Sequence, residues 1–324
     1  MSSILKNSPK VVLLMYMKNF ADRLYDAIKE KGNPCIVGLD PRFELIPTAF
    51  FPGSEEDKTR NEIVEDTIFE FNEAIIDAIK DLVPAVKLQS AFYEQYGVSG
   101  MWAFNRTIAY AKECGLIVVA DAKRNDIDST AQAYANAFIG RANILNEEVK
   151  IFDADAVTVS PYMGRDSLVP FVETCKKYGK GLFILVKTSN PGSGDFQNLI
   201  SAETNEPMYM RVAKMVDEFA KETTGECGYS SIGAVVGATY PGEAVALRKA
   251  MPKAIFLVPG YGRQGGTAEG TLPCFNDDKK GALVHAARSI TFSHEDLTMS
   301  RKEYASIVRE KDRKSTRLNS SHGY

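Results

Sequence analysis

The chain has 324 residues, 44% of them hydrophobic and 25% charged, with a formal net charge of −3. This is ordinary globular composition, enough for one large α/β barrel or two smaller domains, and the acidic balance argues against a general nucleic-acid-binding surface. No apolar run approaches the ~20 residues that a membrane-spanning helix needs, so neither a nucleic acid nor a membrane is expected as a partner.

The first apolar run, residues 11–15, follows Lys6 and Lys10 and faintly resembles a signal peptide, but no small-residue cleavage site comes after it. Met15 or Met17 is therefore read as the start of the folded chain, with residues 1–16 as an extension. Helical and strand-like segments alternate from there. Residues 19–31 carry Phe20, Leu24, Ala27 and Ile28 on one helical face, and Gly32-Asn33-Pro34 breaks the pattern. A strand is expected at 35–39, a long helix at 61–82, and a second strand at 85–88 with Lys87 near its end. Helix 102–113 precedes strand 116–120, and an alanine-rich helix is expected at 128–145. Strand 156–159, helix 166–178 (with Pro170 tolerable in its first turn) and strand 181–186 follow. Helix 207–222, strand 232–236, helix 243–250 and strand 255–258 continue the alternation, and a weak strand at 282–285 and a helix at 303–309 close it. Short apolar strands alternating with amphipathic helices predict a parallel sheet with both faces covered. Eight such units in one domain predict a (β/α)8 TIM barrel spanning residues 17–311, with a doubly wound sheet as the rival. Residues 312–324 have no periodic apolar pattern and look like a translated sequencing adapter, so they are read as a non-native tail.

Chemistry in such folds sits at the carboxyl ends of the strands. Those ends carry Asp40, Lys87, Asp121, Lys123, Ser189, Gln264 and Arg288. Any one of them could be a surface residue, but together they mark one face. The sharpest group is Asp121-Ala122-Lys123-Arg124-Asn125-Asp126, directly after an apolar run. Carboxylates on both sides of an ammonium favour its charged form, although most charge runs are simply solvated ion pairs. Residues 260–265 match G-x-G-x-x-G, but no helix or closing acidic residue follows as a dinucleotide site requires. A phosphate loop after the seventh strand fits better, with the Arg288 guanidinium on the same anion. The five cysteines form no C-x-x-C pair and have no histidine at ligand spacing, which predicts a reduced, cytoplasmic protein without disulfides or zinc. His285 lies inside a strand pattern and His294 in a polar loop, so no Ser/His/Asp or Cys/His catalyst is expected.

These stretches resemble the orotidine 5′-phosphate decarboxylase family. The resemblance runs from about Met17 to Ile307 and rests on Val37-Gly38-Leu39-Asp40-Pro41, Val86-Lys87-Leu88-Gln89, Asp121-Ala122-Lys123-Arg124-Asn125-Asp126-Ile127 with Thr130, and the 259–266 loop. Pro161-Tyr162-Met163-Gly164 and Lys187-Thr188-Ser189-Asn190-Pro191 are similar to its longer-chain subgroup. The resemblance implies a homodimeric barrel that converts orotidine 5′-phosphate to UMP and CO2 without a metal or organic cofactor. It assigns Lys123 as the acid that protonates C6, Asp121 to the substrate carboxylate, and Asp126 to the neighbouring subunit's site, with Ile127 and Thr130 beside it. Asp40 and Lys87 would contact ribose hydroxyls, Ser189 the pyrimidine, and Gln264 and Arg288 the phosphate; Gln89 stands where long-chain relatives carry an amide. Magnesium-dependent sugar-phosphate lyases share the Asp-x-Lys-x-x-Asp strand end but are expected to carry an acidic residue where Lys87 stands here. A Schiff-base aldolase using Lys123 or Lys187 and a non-catalytic phosphate-binding barrel are the remaining rivals. The loop 190–205 and the glycine-rich loop are the expected closures over substrate.

Overall fold

The computed structural model describes residues 18–53, 58–260 and 268–320. Among the described residues there are ten strands: β1 (Cys35–Leu39), β2 (Ala85–Gln89), β3 (Ile117–Arg124), β4 (Ala142–Ile144), β5 (Glu147–Val149), β6 (Ala156–Val159), β7 (Gly181–Lys187), β8 (Ser230–Val236), β9 (Ala254–Val258) and β10 (Ala282–Ala286). All but β4 and β5 close into a parallel barrel in the order β1-β10-β9-β8-β7-β6-β3-β2. The principal helices are α1 (Phe20–Lys31), α2 (Arg60–Ile79), α3 (Gly97–Glu113), α4 (Asp128–Phe138), α5 (Val169–Tyr178), α6 (Met208–Glu222), α7 (Pro241–Ala250) and α8 (Arg301–Ser320). The expected (β/α)8 barrel is the observed fold, and the doubly wound alternative falls because β1 pairs with β10.

Two apolar layers hold the barrel. Residues on one face of each strand, such as Val37, Leu88, Val118, Ile184 and Ala234, pack outward against the helices. Residues on the other face, including Ile36, Val119, Phe183, Ile255 and Leu283, fill the interior. Helix α1 plugs the amino-terminal end of this interior. Asn19 caps it by accepting from the Ala21 amide at 2.8 Å, and Gly32 ends it in a left-handed turn at φ +70°. Phe20 meets the Phe183 ring edge-on at 6.0 Å, and Gly181 leaves room for it, since a Cβ there would lie 2.4 Å from the Phe20 ring. Apolar side chains thus stopper the amino-terminal end, and the charged groups Lys87, Asp121 and Lys123 lie toward the carboxyl ends of the strands.

Several boundaries move, the helix expected over 102–113 beginning at Gly97, and three of the differences bear on the fold. The helix expected over 128–145 ends at Phe138, and residues 142–149 form the antiparallel hairpin β4–β5. Its turn places Leu145 and Asn146 at φ +51° and +68°. A turn with two positive φ values suits the twist of a hairpin, but leucine at the first position hid it from sequence. The strand expected to end at Ala120 runs on to Arg124. The closing helix, expected over 303–309, extends through Ser320 into the stretch read as a tail. Once a turn is formed each further residue adds a hydrogen bond cheaply, and Lys314 pairs with Glu310 at 2.5 Å one turn away. The extension 1–16 and residues 321–324 lie outside the described residues.

Candidate active site

The carboxyl ends of the barrel strands open into a cavity of about 540 Å³, within the range of small-molecule sites. Asp40, Lys87, Gln89, Asp121, Lys123, Ser189 and Arg288 all line it. Seven residues singled out from five strand ends and their loops thus meet in one space. Gln264 lies outside the described residues. Asp126, Ile127 and Thr130 do not line this cavity; they sit at the start of α4, where Asp126 Oδ1 accepts from the Ile127 amide at 2.9 Å.

Strand register explains how the charges meet. In β2, Lys87 and Gln89 are two residues apart and so face the same way. Gln89 lies opposite Asp121 on β3. Beyond Ala120 the β3–β6 ladder shifts, with Ala120 opposite Val157 but Arg124 opposite Val159. This bulge re-aims the strand end at the barrel rim. Lys123 within it has φ +46°, a left-handed conformation that a side-chain-bearing residue adopts only when its surroundings hold it there. The hold is visible: the Lys123 amide donates to Thr158 Oγ1 at 3.0 Å.

Asp121 is the hub. Its Oδ1 accepts from Lys123 Nζ at 2.6 Å and from Thr158 Oγ1 at 2.8 Å. Its Oδ2 accepts from Lys87 Nζ at 2.8 Å and Gln89 Nε2 at 3.0 Å. Four donors fill the roughly four lone-pair positions of a carboxylate, so the group is fixed in orientation. Lys87 also approaches Asp40 Oδ1 at 3.9 Å. That oxygen is buried and accepts no hydrogen bond among the described residues, leaving it open to a ligand hydroxyl. Burial raises the Asp121 carboxyl, but the ammonium groups of Lys87 and Lys123 outweigh it and hold the group well below the usual carboxylate range. Burial likewise opposes the charge on Lys87, and the carboxylates of Asp121 and Asp40 keep its pKa above the ordinary lysine value. The two lysines differ in access: the Lys123 side chain is 43% exposed and that of Lys87 only 4%. Lys123 is therefore the more accessible ammonium, while Lys87 lies in the cavity wall and sets the local charge.

Sequence reasoning missed two lining or supporting groups. Thr158 was legible as a hydroxyl in the otherwise apolar strand Ala156–Val159 but was given no role. His285, inside the strand pattern of β10, also lines the cavity. Its ring is pushed well below the ordinary histidine range by burial first and by the Lys87 charge second, so it stays neutral. A Cβ on Gly38 would lie 2.7 Å from its Nε2, which is why the first strand needs glycine there. His294, in the polar loop after β10, contacts the Leu45 carbonyl at 2.9 Å through Nε2.

A pH dependence follows. A carboxyl whose folded pKa is depressed contributes stability above its unfolded value, near 3.9, and loses it as pH falls through the folded value. The unliganded protein is expected to lose stability progressively below about pH 4. Asp121→Asn should lower the unfolding free energy measured in urea at pH 7, by about 3 kcal/mol if the broken ion pairs behave like other buried ones, and flatten the acid limb. An unchanged acid limb in that variant would contradict the placement of Asp121 as the hub.

Among the described residues no group of three or more His, Cys, Asp and Glu side chains could hold a metal ion, and no helix is long and apolar enough to cross a membrane. Comparison with known proteins agrees with the geometry. An orotidine 5′-phosphate decarboxylase from Rhodopirellula baltica is 46% identical over 278 residues, covering 86% of this chain and 90% of its own. One from Caldicellulosiruptor bescii is 40% identical over 298 residues, covering 91% and 97%. The solved structure of Leishmania donovani OMP decarboxylase superposes with a TM-score of 0.65 at 30% identity, covering 91% of this chain and 98% of that one. The family model described as orotidine 5′-phosphate decarboxylase / HUMPS matches residues 34–302, and the chain belongs to that family.

Proposed function

We propose that this chain is a cytoplasmic orotidine 5′-phosphate decarboxylase, releasing CO2 from orotidine 5′-phosphate to give UMP, with residues 17–311 as the catalytic unit. The observation that carries the reading is the fixed Asp121 carboxylate between a sealed Lys87 and an accessible Lys123 at the floor of the cavity. The bond from C6 to the carboxylate breaks, and its electron pair stays on C6 with no π-system to receive it. A fixed ammonium complements that developing charge more than it does the ground state. The Lys123 proton then passes to C6, and Lys123 is reprotonated from solvent. Asp121 lies where the substrate carboxylate would meet like charge. Desolvation and repulsion of this kind can raise the ground state, a contested term, whereas ammonium complementarity stands without it.

The remaining assignments follow the family resemblance. Arg288 and Gln264 would grip the phosphate, remote from the reacting carbon, so that its binding energy is spent on orientation. Asp40 with its open oxygen, and Lys87, would take the ribose hydroxyls. Gln89 steadies Asp121, and Ser189 would face the pyrimidine. Asp126, Ile127 and Thr130, which stay outside their own chain's cavity, would complete the site of a second copy in a homodimer. No metal or organic cofactor enters this scheme, and Lys87 occupies the place where magnesium-dependent relatives are expected to carry an acid.

Adding orotidine 5′-phosphate to the purified protein should produce the ultraviolet absorbance change of conversion to UMP, and EDTA should leave the rate unchanged. No absorbance change would overturn the reading. A rate abolished by EDTA and restored by magnesium would move the chain to the metal-dependent branch.

A further inference from the structure

Lys187 ends β7 in the motif Lys187-Thr188-Ser189-Asn190-Pro191, and nothing in the scheme above uses it. In β7, Phe183 and Leu185 face the barrel interior, so alternation would send Lys187 there too. It does not go. Leu185 lies opposite Val235 and Lys187 opposite Val236, two residues of β7 against one of β8. This bulge turns Lys187 out of the cavity, consistent with the habit of bulges beside active sites of re-aiming a side chain. The cavity lining accordingly omits Lys187 and contains its neighbours Thr188, Ser189 and Asn190. A Schiff-base role for Lys187 is removed by the same geometry.

Lys187 is 1% exposed and has no carboxylate at ion-pair distance among the described residues. A buried ammonium is costly unless its donors are used. Here Nζ donates to Asn198 Oδ1 at 2.6 Å and lies 4.7 Å from the Tyr240 ring centre and 5.3 Å from that of Tyr209. Aromatic faces attract such a cation. Asn198 is the far end of the loop that begins at Thr188. The near end is stitched to the same place: the Thr188 amide donates to Gln197 Oε1 at 3.0 Å, and Gln197 Nε2 donates to Thr188 Oγ1 at 2.8 Å. Tyr240 hydroxyl reaches the Asn190 carbonyl at 3.4 Å. From the other side, Gly237 touches Ser189 so closely that a Cβ would lie 2.9 Å from its backbone nitrogen, Cα and Cβ. A loop expected to swing as a lid is therefore tied at both ends of its first half.

We infer that Lys187 is a positioning residue: with Asn198 and Tyr240 it clamps the 188–198 loop so that Ser189 and Asn190 present their polar groups to the base-binding side of the cavity. This rests on the reading of Ser189 as a pyrimidine contact. None of the clamp's contacts named above involves Arg288, so loosening the loop should cost affinity for the base and not for the phosphate.

The test measures Kd for UMP and for ribose 5-phosphate, together with KM and kcat for orotidine 5′-phosphate, in Lys187→Met, Asn198→Ala, Ser189→Ala and the Ser189→Ala/Asn198→Ala pair. Loss of one hydrogen-bonded tie should weaken UMP about tenfold and leave ribose 5-phosphate within about twofold. The double variant should be no worse than Ser189→Ala alone, because both changes remove one contact. Lys187→Arg should recover part of the loss in Lys187→Met. Asn198 is at the surface, so Asn198→Ala carries the test if Lys187→Met does not fold. Equal weakening of both ligands, or no effect of Asn198→Ala, overturns the clamp. A silent Ser189→Ala beside a base-selective Asn198→Ala keeps the clamp and removes Ser189 as its contact.

Discussion

Lys123→Ala is expected to abolish decarboxylation while leaving UMP bound within about tenfold of the unaltered protein. The two halves of that result have separate causes. A positioned general acid is worth about 10²–10⁴ in rate, and electrostatic stabilisation of developing charge in a dry site about 10²–10³ more. Removing both at once should lower kcat by at least about 10⁴-fold, or more than ~5 kcal/mol of transition-state stabilisation. Lys87 cannot stand in, because its side chain is 4% exposed and its Nζ is turned toward Asp121 and Asp40. Binding survives because Arg288 and Asp40 are untouched. The fold survives because Asp121 keeps Lys87, Gln89 and Thr158 as donors, and a partly exposed ion pair such as that of Lys123 contributes little stability. The check is an absorbance progress curve beside a UMP titration of the same preparation. Turnover within tenfold of the unaltered protein would remove Lys123 as the acid. Lost UMP binding with an intact fold would mean that Lys123 serves the ground state, not the transition state.

What the sequence made legible follows from how barrels are built. Strands buried on both faces must be apolar, so Val118–Ala120 or Ile255–Val258 stand out as short runs, and polar residues just beyond them have only the rim to occupy. Asp40, Lys87, Asp121, Lys123, Ser189 and Arg288 were readable for that reason. Bulges leave no such trace. One carries β3 on to Arg124 and sets the strained Lys123 backbone against Thr158; the other turns Lys187 away from the space its alternation predicts. Both depend on what the neighbouring strand offers, and no spacing rule within β3 or β7 contains that. Thr158 was passed over because a single hydroxyl in a buried strand reads as a tolerated exception until the carboxylate it donates to is placed beside it.

A mixture of Lys123→Ala and Asp126→Ala chains is expected to regain activity that neither possesses alone. Asp126 is two residues beyond the end of β3, yet its carboxylate accepts from the Ile127 amide and it is not among the residues that line its own cavity. Ile127 beside it is 45% exposed, an apolar side chain on the surface next to a carboxylate that the site's proposed chemistry calls for. A neighbouring copy would cover the first and receive the second. In a two-fold symmetric dimer each chain lends its Asp126 to the other. A heterodimer of the two variants then holds one site with both defects and one site with neither. The Asp126→Ala chain supplies Lys123 to that intact site, and the Lys123→Ala chain supplies Asp126. Random exchange makes about half of the dimers mixed, with one working site in two, so activity should rise to about a quarter of that of the unaltered protein. Differently tagged chains, refolded or co-expressed together and purified through both tags, isolate the mixed dimers and should reach about half. Full activity in Asp126→Ala alone would show that the carboxylate is dispensable. Verified heterodimers with no recovery would show that each chain uses its own Asp126, and the lid side of the cavity would then have to bring that residue inward when substrate binds.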